Sequence, residues 1–198
     1  MTAPVVTGLQ ARGPRRVAVD LDGVPWRVVP SSAVAAAGIF VGGELDRPSV
    51  RALRREIRRV EGMSRALQAL RGRDHTTASL DRRLATRGTV TSVRSDVVEA
   101  VVRAGLVDDE RFAFGRAELL AERGAGDLLI SDDLERNGVS PTLILAAIAA
   151  LEPEAARATV IVVRRGRTAK TARYLAAKGF GEGALEALVA ELDADAIG

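Results

Sequence analysis

The stretch Leu84-Ala-Thr-Arg87-Gly88 returns twice along this 198-residue chain, as Leu134-Glu-Arg-Asn137-Gly138 and as Leu175-Ala-Ala-Lys178-Gly179. Each copy reads Leu-x-x-[Arg/Asn/Lys]-Gly, and each glycine stands where a helix would end in a left-handed cap. Apolar or small side chains recur at the same offsets after every glycine, which predicts one amphipathic helix in the same phase three times. The residues at offsets +5, +10 and +13 are Val93, Val98, Val101, then Leu143, Ile148, Leu151, then Ala184, Val189, Leu192.

A further helix is predicted upstream of each copy, around residues 64–72, 111–123 and 154–164. The predicted fold class is therefore mainly α, a tandem array of three three-helix modules. Modules of 40 to 50 residues bury little apolar surface alone, so neighbouring modules are expected to stack. We place their boundaries at residues 63–108, 109–152 and 153–198.

A small β-hairpin and helix region is predicted in front of the repeats. Residues 16–29 alternate apolar and polar side chains, and Asp22-Gly23 in their middle is a strong two-residue turn. The alternation places Val17, Val19 and Leu21 on one face of the first strand, and Trp26 and Val28 show the same alternation on the return strand.

The rest of the N-terminal region divides at glycine and proline. A short helix is expected to start at Pro30 and run through Ala37, and an arginine-rich helix to start at Pro48, with a weak break at Gly62. We therefore predict a flexible N-terminus over residues 1–15 and a β-hairpin plus basic helix over residues 16–62.

Composition excludes several classes of chemistry. The chain has no cysteine, which rules out disulfides, thiolate zinc sites and cysteine nucleophiles. Its one histidine, His75, lies in a polar loop and is expected to be polar surface. No apolar run approaches the roughly 20 residues of a membrane helix, and the N-terminus does not resemble a signal peptide. We expect a cytoplasmic protein with no cofactor, no metal and no catalytic site.

Charge is segregated into blocks of alternating sign. Residues 47–103 hold 14 arginines and six acids, whereas residues 104–163 hold five arginines and 11 acids. Residues 164–181 then carry six cations and no acid, and residues 182–198 carry five acids. Such segregation favours a polyanion or an acidic protein as a partner at selected faces.

The first module ends in the most specific motif of the chain, Gly105-Leu-Val-Asp-Asp-Glu-Arg-Phe-Ala113. Asp108 is a suitable N-cap, and the acids after it place negative charge at a helix N-terminus. Together with the three repeats, this motif resembles the RecX family of recombination regulators, and Ser79-Leu-Asp-Arg-Arg-Leu84 resembles that family's first-repeat helix. We expect an inter-repeat junction formed by Gly105, Leu106, Asp108, Asp109, Arg111 and Phe112, with Leu106 and Val107 docked between modules.

The resemblance covers residues 64–192 well and residues 16–60 loosely. It implies a non-enzymatic regulator that binds RecA, free or as a filament on single-stranded DNA. Such a protein lowers filament growth, ATP turnover and strand exchange in recombination, DNA repair and the SOS response. The resemblance also implies weak, sequence-independent DNA binding and no small-molecule substrate.

The third repeat offers the best candidate contact for RecA or DNA. Arg167, Lys170 and Tyr174 recur at spacings of three and four, which would place them on one helix face with a stackable aromatic ring. The first repeat has a similar basic helix, and the arginines at 51–59 have a lesser claim. The candidate residues are Arg82, Arg83, Arg87, Arg164, Arg165, Arg167, Lys170, Arg173, Tyr174 and Lys178.

The second repeat departs from the family pattern. Members usually carry a basic run there, but residues 124–135 hold no cation and include Asp127, Asp132 and Asp133. Thr89 also stands where an aromatic residue is customary. The second repeat could therefore be an acidic face that meets arginines on a partner, or a diverged spacer.

Two other functions fit three-helix modules. A tandem helix-turn-helix-like DNA-binding protein is the main alternative, although the helices after each glycine carry acids such as Glu99 and Glu182 where a reader of bases needs Arg, Asn or Gln. A helical scaffold for another acidic protein is the third. Sequence-selective binding to duplex DNA would favour the helix-turn-helix-like protein. An absence of DNA binding even at low salt would favour the scaffold.

Overall fold

A computed structural model describes residues 3–185. They fold into two compact units, one of residues up to Arg73 with Leu80–Arg103, the other of Asp74–Ser79 with the residues from Ala104 onward. The strands are β1 (Val6–Ala11), β2 (Arg16–Leu21) and β3 (Val24–Pro30). The helices are α1 (Ser31–Ala36), α2 (Arg47–Leu70), α3 (Thr77–Thr86), α4 (Thr91–Arg103), α5 (Asp109–Glu122), α6 (Asp127–Asn137), α7 (Pro141–Ala149), α8 (Glu154–Arg165) and α9 (Ala169–Ala177).

The N-terminal sheet has three antiparallel strands in the order β1-β2-β3, and the predicted hairpin over 16–29 is confirmed. The predicted flexible N-terminus is wrong for residues 6–11, which form β1. The backbone N–H of Val5 donates to the Asp22 carboxylate at 2.9 Å, and the N–H of Gly23 donates to the Thr7 hydroxyl at 2.8 Å. These two bonds attach the hairpin turn to the first strand. The third strand adds stability that an isolated two-stranded hairpin lacks in water.

The outer face of the sheet carries Trp26 and Val28, each 41% exposed, whereas Val19 is buried. A bulge between Val19 and Asp20 is the cause, because the extra residue pairs Val19 with Arg27 instead of Trp26. A one-residue slip moves the following side chains to the opposite face. Val29 therefore takes the buried position, in a core shared by the sheet, α1 and α2.

Helix α2 runs unbroken for 24 residues, so the weak break predicted at Gly62 is wrong. A Cβ at Gly62 would lie 2.9 Å from a methyl carbon of Val93 on α4, so the glycine allows close packing of the two helices. The boundary predicted between residues 62 and 63 falls inside this helix. At its start, the carboxylate of Asp46 accepts the N–H of Ser49 at 2.8 Å. Hydrogen bonding from the Ser49 side chain, and then from its backbone N–H, lowers the pKa of Asp46.

The repeat pattern is confirmed in the described residues. Gly88, Gly138 and Gly179 have φ values of +74°, +82° and +78°, which is the left-handed conformation predicted for them. The helices that follow Gly88 and Gly138 are α4 and α7, and another helix begins at Glu182. The residues that directly follow the three glycines, Thr89, Val139 and Phe180, are all buried. Val189 and Leu192 lie outside the described residues.

His75 is buried, with 3% of its surface exposed, so the expectation of a surface histidine is wrong. Its Nδ1 lies 2.9 Å from the hydroxyl oxygen of Ser79. Thr76 and Ser79 exchange backbone-to-hydroxyl hydrogen bonds of 3.0 Å at the start of α3. The histidine thus belongs to a capping arrangement that satisfies the first amides of this helix.

Candidate polyanion-binding cleft

Each later repeat begins with an acid that caps a helix of the repeat before it. The Asp109 carboxylate accepts the backbone N–H of Thr77, the first residue of α3, at 2.7 Å. The Glu154 carboxylate accepts the N–H of Asp127, the first residue of α6, at 2.7 Å, and that of Gly181 at 3.1 Å. These acids satisfy amides that helices leave open at their N-termini.

The remaining junction residues surround the start of α5. Asp108 is the N-cap and accepts the N–H of Arg111 at 2.9 Å, and Phe112 packs on the core of α5, α6 and α7. Gly105 has a φ of +67°. Val107 is buried but Leu106 is 49% exposed, so the expectation that Leu106 docks between modules is wrong.

A contact between two backbones joins the second and third repeats. The N–H of Gly126 donates to the carbonyl of Lys178 at 2.8 Å, and the N–H of Leu128 donates to that of Gly179 at 3.0 Å. A Cβ at Gly126 would overlap the backbone of Gly179 and Phe180. The absence of a side chain at this glycine therefore sets the distance between the repeats.

Two adjacent acids of α6, Asp132 and Asp133, are paired within the chain. Asp133 accepts two hydrogen bonds from Arg116, at 2.8 and 2.9 Å, and these bonds lower the pKa of Asp133 and raise that of Arg116. Asp132 pairs with Arg136 at 2.9 Å. The carboxylates that distinguish this repeat from the family pattern therefore have internal partners, which argues against an acidic face reserved for a partner's arginines.

The Arg116–Asp133 pair makes stability depend on pH. Since the pKa of Asp133 is lower in the folded state, the pair stabilises the fold above the unfolded-state pKa and its contribution is lost as pH falls through the folded pKa. We expect Asp133→Asn to lower the free energy of unfolding by about 1 kcal/mol at pH 7 and by much less at about pH 3. Urea unfolding at both pH values measures this. Asp132→Asn removes an exposed pair and should change the free energy of unfolding by less than about 0.5 kcal/mol. Equal losses of stability for Asp133→Asn at both pH values would contradict the assignment.

Arg157 ties the third repeat to the second. Its guanidinium donates to the carboxylate of Asp127 and to the carbonyl of Ala125, the latter at 2.8 Å, and lies 5.9 Å from the Phe180 ring centroid. Burial raises the pKa of Asp127 even though Arg157 bonds to it and lowers that pKa. Arg157 is thus a structural cation, most of whose bonding capacity is used inside the protein.

Next to this arginine, a cleft of about 460 Å³ opens between the end of α5 and the outer side of α8. Its exposed cations are Arg123 from the second repeat and Arg164 and Arg165 from the third. Glu122 is the acid among the lining residues. Arginine guanidinium groups bind phosphate in a bidentate manner, so the cleft suits a phosphate-bearing polyanion. The full lining is Ala121, Glu122, Arg123, Gly124, Arg157, Val160, Ile161, Arg164, Arg165, Tyr174 and Phe180.

Tyr174 holds one of these arginines in place. The guanidinium carbon of Arg165 lies 4.0 Å from the ring centroid of Tyr174, and the ammonium of Lys178 lies 5.8 Å from it. Cations over an aromatic face are attracted by its quadrupole. The ring therefore orients Arg165 at the cleft, whereas the sequence had suggested a ring free for stacking.

The other candidate residues lie elsewhere. Arg167 precedes α9, so the predicted common helix face with Lys170 and Tyr174 does not form. Arg167, Lys170 and Arg173 are exposed and do not line the cleft. In the other unit, Arg82, Arg83 and Arg87 are exposed, and Arg87 donates to the Gln68 side chain at 3.1 Å.

Within residues 3–185, no cluster of His, Asp or Glu side chains has a geometry that could hold a metal ion. In the same part of the chain, no helix is long and apolar enough to cross a membrane.

Comparison with known proteins decides the family. No protein-family model matches the chain. The regulatory protein RecX of Halorhodospira halophila is 31% identical over 141 residues, which cover 66% of this chain and 87% of that protein. The chain belongs to the RecX family. RecX of Xanthomonas campestris pv. campestris is 30% identical over 128 residues, covering 60% of this chain and 79% of that protein.

Solved RecX structures share the fold. One RecX crystal structure superposes with a TM-score of 0.78 at 21% identity, covering 93% of this chain and 98% of that one. RecX from Lactobacillus salivarius gives a TM-score of 0.59 at 17% identity, covering 69% and 97%. The resemblance inferred from the repeats and the junction motif is therefore confirmed, and the chain is a member of a family of regulatory proteins.

Proposed function

We propose that this RecX family chain is a cytoplasmic, non-enzymatic regulator that binds RecA and RecA filaments on single-stranded DNA and limits their growth. ATP turnover and strand exchange by RecA would fall as a consequence. Membership of the RecX family supports the regulatory role. The basic cleft between the second and third repeats is the observation that carries the mode of binding.

The cleft supports contact with a nucleic-acid backbone. Arg123, Arg164 and Arg165 are exposed guanidiniums drawn from two repeats, and Tyr174 orients one of them. Contacts of guanidinium with phosphate are independent of sequence and weaken with salt, because counterions are released on binding. The cleft alone would therefore bind DNA weakly and without sequence preference.

Selectivity for the filament would then come from combining several weak contacts. A filament presents RecA and DNA together at a regular spacing. Once one site of the protein is bound, its second site meets the same filament at a high effective concentration, which raises the overall affinity. The exposed arginines of the first repeat and the cleft lie in different units, so each is an independent candidate contact. A molecule bound at the growing end of the filament would block the addition of further RecA subunits.

The test is a comparison of affinities at one salt concentration. The protein is titrated against fluorescein-labelled oligo(dT), the same oligonucleotide coated with RecA, and a panel of duplexes. We expect the RecA filament to bind at least about 10-fold more tightly than bare oligo(dT), with no preference among duplexes. Tight binding to one duplex sequence would instead support the helix-turn-helix alternative, and equal affinity for bare and coated DNA would contradict the proposal.

A further inference from the structure

The N-terminal unit contains a groove that the proposed function does not use. Its volume is about 540 Å³, and it lies between the β1–β2 turn, which contributes Arg15, and the second half of α2. The other lining residues are Arg59, Val60, Met63, Ser64, Leu67 and Gln68 of α2 and the C-cap residue Arg71.

An apolar stripe runs along the floor of this groove. Val60, Met63 and Leu67 follow one another at spacings of three and four residues, which places them on one face of α2. Leu67 is 40% exposed, so part of its side chain faces solvent in the groove. The stripe is the feature that a second helix would cover.

The rim of the groove is positively charged. Arg59 and Arg71 stand at the two ends of the stripe, Arg15 is the third cation of the lining, and no acid is among the lining residues. Arg59 donates to Glu56, which lies one turn earlier on α2, at 2.8 Å. Arg71 directly follows the last residue of α2, so Arg59 and Arg71 are 12 residues apart, about 18 Å or three helical turns. An occupant of matching charge would carry acids on both sides of an apolar stripe of that length.

We propose that this groove binds an acidic amphipathic helix, about three turns long, from a partner protein. The apolar floor favours this occupant over a nucleic-acid backbone, whose phosphates would leave Val60, Met63 and Leu67 uncovered. Helix-in-groove recognition uses anchors at spacings of three, four and seven residues, which the groove matches. Arg15 and Arg71 would pair with the flanking acids and fix the orientation of the helix, whereas Arg59 is already paired with Glu56.

The experiment uses the full chain and a synthetic 18-residue peptide with one leucine stripe flanked by glutamates. Its fluorescence anisotropy is compared with that of an isomer of the same composition whose leucines are redistributed around the helix. We expect saturable binding of the striped peptide, at least about 10-fold weaker binding of the isomer, and a loss of at least about 10-fold in Leu67→Glu. Arg71→Glu, at an exposed residue of the rim, should weaken it about fivefold.

Leu145→Glu is the matched control, because Leu145 is an exposed leucine of the other unit and its replacement adds the same charge. Circular dichroism verifies that each variant is folded. Equal binding of the two peptides, an unaffected Leu67→Glu variant or no binding of the striped peptide would each overturn the proposal. Displacement of the peptide by oligo(dT), with Leu67→Glu unaffected, would identify the groove as a nucleic-acid surface and would overturn it as well.

Discussion

Combined Arg123→Glu, Arg164→Glu and Arg165→Glu substitutions should weaken binding to oligo(dT) and to RecA filaments at least about 100-fold at low salt. Each change removes one guanidinium that faces the cleft and adds a charge that repels phosphate. The slope of log affinity against log salt for oligo(dT) should fall by about 2, since three phosphate contacts are lost. All three side chains are exposed, so the variant should keep its helical circular dichroism spectrum.

The control is a second triple substitution of equal charge, Arg167→Glu, Lys170→Glu and Arg173→Glu. These residues are exposed in the same repeat but do not line the cleft. We expect a loss below about 10-fold, because only the long-range field of the protein changes. Equal losses from the two triple variants would mean that net charge determines binding, and the cleft would no longer be the binding site.

Gly126→Val should lower the free energy of unfolding by more than about 3 kcal/mol. The new side chain would occupy the space of the Gly179 and Phe180 backbones. Its accommodation would separate the repeats and break the hydrogen bonds that Gly126 and Leu128 donate across them. Urea unfolding followed by circular dichroism measures the change.

Gly115→Ala provides the comparison for this substitution. Gly115 lies inside α5, and a Cβ there would meet open space. Replacing a glycine with alanine in a helix interior stabilises proteins by about 0.5–1 kcal/mol, so this variant should become more stable. If Gly126→Val were as stable as the wild type, the backbone contact between the repeats would not exist in solution.

The helical repeats were predictable because the requirement for glycine is local. A helix that ends in a backbone conformation with φ near +80° favours glycine at that position in any fold. Three such glycines at equivalent positions of the repeat can therefore be recognised in the sequence. The N-terminal sheet was less predictable, since the faces of β3 depend on a bulge opposite Asp20. Gly62 was interpreted as a helix break because its contact with Val93 on α4 depends on the tertiary structure and cannot be seen in the sequence.

The cleft was predictable only in part. The cluster of cations after residue 163 pointed to Arg164 and Arg165, but nothing in the pattern pointed to Arg123 or to the structural role of Arg157. Both become part of the site only when Gly126 meets Gly179, about 50 residues further along the chain. The Gly124-Ala-Gly126 segment, unusual next to a helical repeat, was the available sign of that close approach.

The central claim is tested most directly by the ATP turnover of RecA on single-stranded DNA while this protein is titrated in. We predict that turnover falls at amounts well below one molecule per RecA, since few molecules suffice to limit a long filament. The cleft triple variant should need at least about 10-fold more protein for the same effect. Unchanged turnover, with folded protein and RecA from the same source, would contradict the proposed function.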